Sequence, residues 1–431
     1  MKISPTSRGY LKSHVGYLKS SRDYLKSSGD YLKPPGGFLK FLGGFFILFV
    51  GLALLFISQR FFSFAVWYAA YIYPFFTHTF GRFWGLFPFS VFEILLLLGP
   101  ACLIVYCLIK FRYRQFNSRQ FNSRQFKFRP QAHRSSWART PAGAHFPAGA
   151  RFLARIRLFS IVILYFLSSA FTIFVLISGI NYNRESYADH IGITVQDSSI
   201  EELVLLYAML LERAESLSNQ IETDEHGHFV ANRLGMYNYA RLSMSQLNDT
   251  YGGLGSFFPR AKAPMASRLV LSRFKISGIF IPWTMEAHYN GDMPATSIPF
   301  VINHELAHFA GHMREDEANF IAYLASRDSV NVDFQYSAVY SALNYVLNAL
   351  NQALPSDVYA EFFNLLPDQL KRDFNYAWDY WQAFAGPAAD LQERFNDAYL
   401  RLNQQEDGVQ SYGRMVDLLL AYYRDQLWGT P

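Results

Sequence analysis

The sequence has almost no cysteine: two in 431 residues, Cys102 and Cys107, both inside an apolar run. That excludes a disulfide-stapled scaffold and any cysteine-ligated zinc site, so chemistry must come from His, Asp, Glu, Ser or Tyr. Charge is scarce as well. Only 17% of residues are charged, against 51% hydrophobic and 18% aromatic, which excludes a disordered chain and argues against a wholly soluble one. Acids are rarest at the front: residues 1–179 hold 22 Lys and Arg but only three acids, Asp23, Asp30 and Glu93. From 180 onward 17 bases face 31 acids, a net charge of −14. A basic front and an acidic back indicate two environments, not one nucleic-acid-binding surface.

What abounds is apolar sequence. Phe41 to Ser58, Ile94 to Ile109 and Leu158 to Ile180 approach or exceed the roughly 20 residues of helix that cross a hydrocarbon core. The first run begins late, is too long for a signal peptide and lacks a small-residue cleavage signature, so it is expected to be a retained anchor. Phe61 to Gly81 carries Pro74 and His78, is highly aromatic, and reads as an interfacial segment between the first two spans. Between Lys110 and Arg157 there are twelve Lys or Arg and no acid. The positive-inside rule therefore assigns that loop to the cytoplasm and the C-terminal part to the outside. The expected organisation is a basic cytoplasmic tail at 1–40, two spans with the aromatic segment at 41–111, a basic cytoplasmic loop at 112–157, a third span at 158–180 and an extracytoplasmic domain at 181–431. The tail repeats a seven-residue unit (GYLKSHV, GYLKSSR, DYLKSSG, DYLKPPG, GFLKFLG) and the loop a five-residue one (RQFNS, RQFNS). Either a lipid-binding basic tail or plain duplication in a solvated segment accounts for them, and no function is assigned.

The C-terminal region is expected to be mostly helical with a small sheet, an α+β domain. Ser198 or Ser199 followed by Glu201 and Glu202 marks an N-cap, opening a helix to about Ile221. Apolar periodicity places further helices near 231–248, 298–310, 314–326 and 335–352, and several after 355. Gly278 to Trp283 and Met285 to Asn290 are the strand candidates.

One stretch dominates: Ser297-Ile-Pro-Phe-Val-Ile-Asn-His304-Glu305-Leu-Ala-His308-Phe-Ala-Gly311. Ser297 suits an N-cap, Pro299 a first helical turn and Gly311 the position just past the end. Four residues apart on a helix, His304 and His308 project from one face and can chelate a single Zn²⁺, while Glu305 beside them is placed as a general base. A third ligand is needed. The metzincin spacing falls on Arg314, which cannot serve, and His312 is badly placed if the helix stops at Gly311.

The run Arg314-Glu315-Asp316-Glu317-Ala318-Asn319 opens a new helix, with Glu315 and Asn319 on one face, and resembles the ExxxD element of gluzincin peptidases, including membrane-embedded ones. That resemblance implies Glu315 as the third metal ligand, Asn319 as the partner orienting a ligand histidine, and Glu317 in reserve. The alternative for the three acids is a charged first turn favoured by the helix dipole. Asn181-Tyr-Asn-Arg184, Ser272 to Asn290, Pro299-Phe, HELAH, EDEANF and Phe334-Gln-Tyr336-Ser337 together resemble an uncharacterised bacterial membrane family. That family is a domain of unknown function with three spans and an HExxH-bearing outer domain. The resemblance covers about 41–431 outside the repeats and implies a zincin-like, metallopeptidase-like site in a multi-pass protein of the bacterial cytoplasmic membrane, with no substrate attached.

Other candidates carry less. Gly278 to Trp283 is placed either to take substrate as an added strand or to be an ordinary buried strand. Asn290 holds a substrate carbonyl or caps a turn, and Glu286 follows the same strand. Tyr336 is either a phenol donor to an oxyanion or a core residue. His226 and His228 belong to a polar loop, better explained as a solvated turn than a second metal site. The expectation is a membrane-anchored hydrolase with one Zn²⁺ per chain, the bilayer and a polypeptide or cell-envelope substrate as partners, and no nucleic acid. Mn²⁺, Fe²⁺ or Co²⁺ would suit the same donors. The rival expectation is a non-catalytic envelope binding or sensor protein in which the metal is structural or vestigial.

Overall fold

The computed structural model describes residues 36–125, 148–196, 198–403 and 414–428. Most of the seven-residue repeat, all of 126–147 and Asp197 lie outside them. The chain divides into two compact units, one of residues 1–53 and 135–172, the other of 54–134 and 173–431. Three helices are long and apolar enough to cross a membrane, over Lys40–Arg60, Val91–Lys110 and Ile156–Asn183. They belong to α1 (Gly36–Arg60), α2 (Val91–Gln125) and α3 (Ala148–Phe174), the last continued by wider turns to Gly179. α2 runs on well past the expected end of its span, through the RQFNS repeats.

Within the first unit small residues set the approach of α1 to α3. A Cβ on Gly44 would lie 2.8 Å from Leu164 and one on Gly51 3.1 Å from Phe171, so the two backbones come close only because both positions are glycine. Thr172 Oγ1 seals the contact by donating to the Ile47 carbonyl at 3.0 Å.

The second unit holds the aromatic segment and the C-terminal domain. Residues 62–85 form a train of short helical turns. The domain is built from α4 (Ile200–Ser218), α5 (Met236–Tyr251), a hairpin of β1 (Gly278–Ile281) and β2 (Glu286–Tyr289), then α6 (Ile298–Phe309), α7 (Glu315–Arg327), α8 (Val332–Ala353), α9 (Ser356–Leu365), α10 (Asp368–Gln382), α11 (Pro387–Leu402) and α12 (Met415–Trp428). It is mostly helical with a two-stranded antiparallel sheet, Gly278 opposite Tyr289 and Ile281 opposite Glu286. Ser199 accepts from the Glu202 N–H while Glu202 reaches back to the Ser199 N–H, the capping box that the sequence announced, although α4 stops at Ser218.

α6 is the centre of this domain, with every residue from Ile298 to Phe309 buried. It packs on the hairpin, α7 and α8. Ser297 does not cap it: that residue is itself helical, the last of a tight turn at Ala295–Ser297, and makes no side-chain cap. The acceptor for the buried first turn comes instead from α8, where Ser337 Oγ takes the Phe300 N–H at 3.1 Å and donates to the Thr296 carbonyl at 2.5 Å. At the other end Gly311, at φ +95°, gives its N–H to the His308 carbonyl (2.9 Å), and His312 gives its own to Ala307 (3.0 Å). This is a Schellman closure that needs the left-handed residue.

The ends of the spans nearest residues 91 and 183 meet this domain, and the end nearest residue 60 meets the one nearest 183. Glu286 accepts the N–H groups of Val91 and Phe92, each at 2.9 Å, and so caps α2 from outside the helix. Glu93 returns the bond, accepting from Met265 and Ala266 at 2.9 and 2.8 Å. Asn183 Nδ2 donates to Ser58 Oγ at 3.2 Å, and Arg184 donates to the carbonyls of Ala310 and Gly253 at 3.2 and 3.3 Å. Tyr73, from the aromatic segment, donates its hydroxyl to the Phe309 carbonyl at 3.0 Å.

Candidate metal centre

One helical turn separates His304 from His308 on α6, and the Gly311 turn brings the start of α7 back across them. Among the described residues His304, His308 and Glu315 form a cluster whose donor atoms all lie within 4.8 Å of one another. Glu315 Oε2 is 3.2 Å from His304 Nε2, and Glu315 Oε1 is 3.7 Å from His308 Nε2. The far side of each ring is held by an acceptor. His304 Nδ1 lies 2.8 Å from Asn319 Oδ1, and His308 Nδ1 lies 2.8 Å from the His312 carbonyl. A carbonyl only accepts, so Nδ1 carries the hydrogen and each Nε2 is left facing Glu315.

The electrostatics fit a site built for a cation. Burial alone would depress His308, but Glu315 more than offsets it and lifts the imidazole to about 9. Burial works against the Glu315 carboxylate too, yet the two imidazoles hold that group far below the usual carboxylate range. His304 is lowered by burial despite the same partner. Glu305 is almost wholly buried, and burial pushes its carboxyl up to about 8. Among the described residues its Oε2 has no hydrogen-bond partner, which is costly for a buried carboxylate without a ligand to serve. Two imidazoles and a carboxylate at this spacing are a donor set that suits Zn²⁺.

The cluster lies on a cleft of about 670 Å³. One wall is β1, whose Gly278 sits so close to Glu305 that a Cβ there would collide with Oε1 and come within 2.7 Å of Val301. The cleft is also lined by Asn344 and Tyr345 of α8, and by Asn396 and Tyr399 of α11.

The residues singled out in the sequence divide sharply. His304, Glu305, His308, Glu315 and Asn319 are brought together. Glu317 is not in the cluster: it is buried but paired with Arg314 and 3.6 Å from His312 Nδ1. Tyr336 is a correction. It belongs to the core, its hydroxyl donating to Asp373 Oδ2 at 2.6 Å, and it does not line the cleft. Its neighbour two and a half turns along α8, Tyr345, does. Burial raises the Tyr345 phenol well above its ordinary value, which keeps it a donor. The 3.6-residue period of α8 signals which positions share a face, but only tertiary packing selects the face. Glu286 is the cap of α2, ion-paired with Lys262 at 2.5 Å, and Asn290 caps a turn, its Oδ1 accepting the Asp292 N–H at 3.0 Å. His226 and His228 form a turn around Asp224, whose Oδ1 accepts both their N–H groups at 2.9 Å.

No curated protein and no solved structure matches the chain. A family model matches residues 149–420, more than half of the sequence, and the chain belongs to that family, DUF3810, described as a protein of unknown function.

Proposed function

We propose that this protein is a membrane-anchored, zinc-dependent hydrolase, most simply a peptidase of gluzincin type, with its domain outside the bacterial cytoplasmic membrane. The observation that carries the proposal is the convergence of His304 Nε2, His308 Nε2 and Glu315 on one point beside the unpartnered Glu305 carboxylate. The outside location is supported by the twelve Lys and Arg, and no acid, between Lys110 and Arg157, which by the positive-inside rule stay on the cytoplasmic side. The order of hairpin, HExxH helix and Glu-bearing helix along one cleft supports a zincin-like fold.

His304, His308 and Glu315 would hold one Zn²⁺, which when bound polarises a carbonyl and makes water acidic enough to deprotonate near neutral pH. Glu305 takes the proton of the attacking water as its oxygen bonds to the carbonyl carbon, and delivers a proton to the amine nitrogen as the C–N bond breaks. Tyr345 is the phenol placed on the cleft wall to donate to the carbonyl oxygen as it gains charge. Asn319 and the His312 carbonyl keep the two imidazoles in the one tautomer that can ligate.

The full-length protein purified in detergent should contain about one zinc per chain, lost in His304→Ala. Glu305→Gln should keep the zinc and lower hydrolysis of a quenched-fluorescence library of unstructured peptides by about 10²–10⁴-fold. A wild type that takes up no zinc, or a Glu305→Gln variant as active as wild type, overturns the proposal.

A further inference from the structure

Three features of the cleft walls have no part in the chemistry at His304 and Glu305. The cleft is walled in part by Phe174, Ser178 and Tyr182, all within the last turns of the membrane-crossing stretch Ile156–Asn183. Trp283, in the hairpin turn, also lines it and stacks on Phe92, the second residue of the span-bearing helix α2, with centroids 6.2 Å apart and planes 16° from parallel. The end of one span therefore walls the cleft, and the start of another packs against a residue that lines it.

The third feature is α11. Gln392, Asn396 and Tyr399, spaced i, i+4 and i+7, line the cleft. Tyr399 packs its ring on Phe174 at 6.2 Å and accepts a hydrogen bond from the Tyr182 hydroxyl at 3.0 Å, which ties this helix to the end of the third span. Next to the cleft-lining face runs a stripe of Leu391, Phe395 and Leu402, exposed by 51, 68 and 81%. By helical periodicity Glu393 and Asp397 fall on the side away from that stripe, while Asp390, Arg394 and Arg401 run along its flank. An amphipathic helix with a bare apolar stripe, fastened to the end of a membrane helix, has the make-up of one lying in the bilayer interface. The segment 62–85 repeats the pattern: Tyr71, Phe75 and Phe83 are exposed while Tyr73 grips the end of α6.

We propose that the cleft opens at the bilayer surface, with α11 as its membrane-lying wall, and that its substrate is the extended juxtamembrane segment of a membrane-anchored polypeptide. The substrate assignment rests on the peptidase proposal; the position of the mouth does not. A polypeptide suits the walls better than a lipid headgroup. Among the described residues they carry a single Lys or Arg, Lys275, among amides, phenols and two acids, a poor cradle for phosphate. They also include β1, which pairs only with β2 among the described residues and offers its second edge to an extended chain.

The test uses the full chain in phosphatidylcholine vesicles. In a Cys102→Ser, Cys107→Ser background, Phe395→Cys carrying an environment-sensitive fluorophore should be quenched by lipids spin-labelled near the headgroup. An unquenched label overturns the inference whatever the activity. A single-span reporter with an unstructured outer segment of about 60 residues, far longer than the cleft can span, is then placed in the same vesicles. Wild type should cut it within about ten residues of the anchor, Glu305→Gln should not, and Phe395→Glu should cut about tenfold more slowly. Cuts spread evenly along the segment, or equal rates on the same segment freed from its anchor, overturn the inference and leave the peptidase proposal standing. A quenched label with no cut in any polypeptide overturns the peptidase proposal and the substrate assignment with it.

Discussion

A histidine ligates through one nitrogen only when the other is held as N–H, and the two histidines here are held by unequal partners. His308 leans on a main-chain carbonyl that no side-chain substitution removes, whereas His304 depends on the side chain of Asn319. Asn319→Ala should therefore weaken zinc binding about 10–100-fold without unfolding the domain, read as the chelator concentration that strips the metal. Gly278 acts on the neighbouring carboxylate. Because a Cβ there would meet both Glu305 Oε1 and Val301, and Glu305 is too deeply buried to swing aside, Gly278→Ala should displace the base. Turnover should fall on the order of 10²-fold with zinc content unchanged. Loss of zinc in that variant would mean the strand supports the metal ligands and not the base.

At the scale of elements, α6 shows what a sequence can and cannot disclose. Its length, its proline near the start, its glycine stop and the pairing of His304 with His308 are all local, and the observed helix differs from the expected one by a single residue at its end. The first-turn acceptor is not local. Ser337 lies 37 residues away from Phe300 and supplies the bond that Ser297 seemed placed to make. Ser337→Ala should leave a buried N–H unsatisfied and destabilise the domain by about 1–3 kcal/mol, lowering the unfolding midpoint by several degrees. Retention of the wild-type midpoint would show that water replaces the hydroxyl. Tyr336 and Tyr345 illustrate the same limit. The periodicity of α8 defines its faces, but which face meets the cleft is set by α4 and α10 packing on the other sides. Glu315 and Asn319 were legible because their spacing matches a known element, whereas Glu286 gave no signal that it caps a helix 195 residues earlier.

For the whole molecule, the joint between α2 and the C-terminal domain is ionic and buried, and that makes it sensitive to acid. Glu286 caps α2, pairs with Lys262 and accepts from Thr284 at 2.7 Å. His288 lies beside it, its Nε2 3.9 Å from Glu286 Oε2. Burial dominates there and holds His288 down to about 4; Glu286 and Glu93 pull the other way and Lys262 adds to the depression. For Glu286, burial favours the acid form, but Lys262, Thr284 and the two α2 amides outweigh it and keep the carboxyl below its ordinary value. Both groups bind protons more readily in the unfolded chain, so both contribute stability that is lost as pH falls. For His288 the loss starts near its unfolded value of 6.5 and is complete below about 4, a span worth about 3 kcal/mol. The Glu286 contribution is kept above its unfolded value of 4.5 and disappears only as pH falls through its lower folded value. The thermal midpoint of the full-length protein should therefore drop steadily between pH 6.5 and 4. His288→Leu, which cannot take up the proton, should flatten the upper part of that curve, and the difference between the two proteins cancels any contribution from the metal ligands. Parallel curves would place the acid sensitivity elsewhere, at His304, His308 and Glu315.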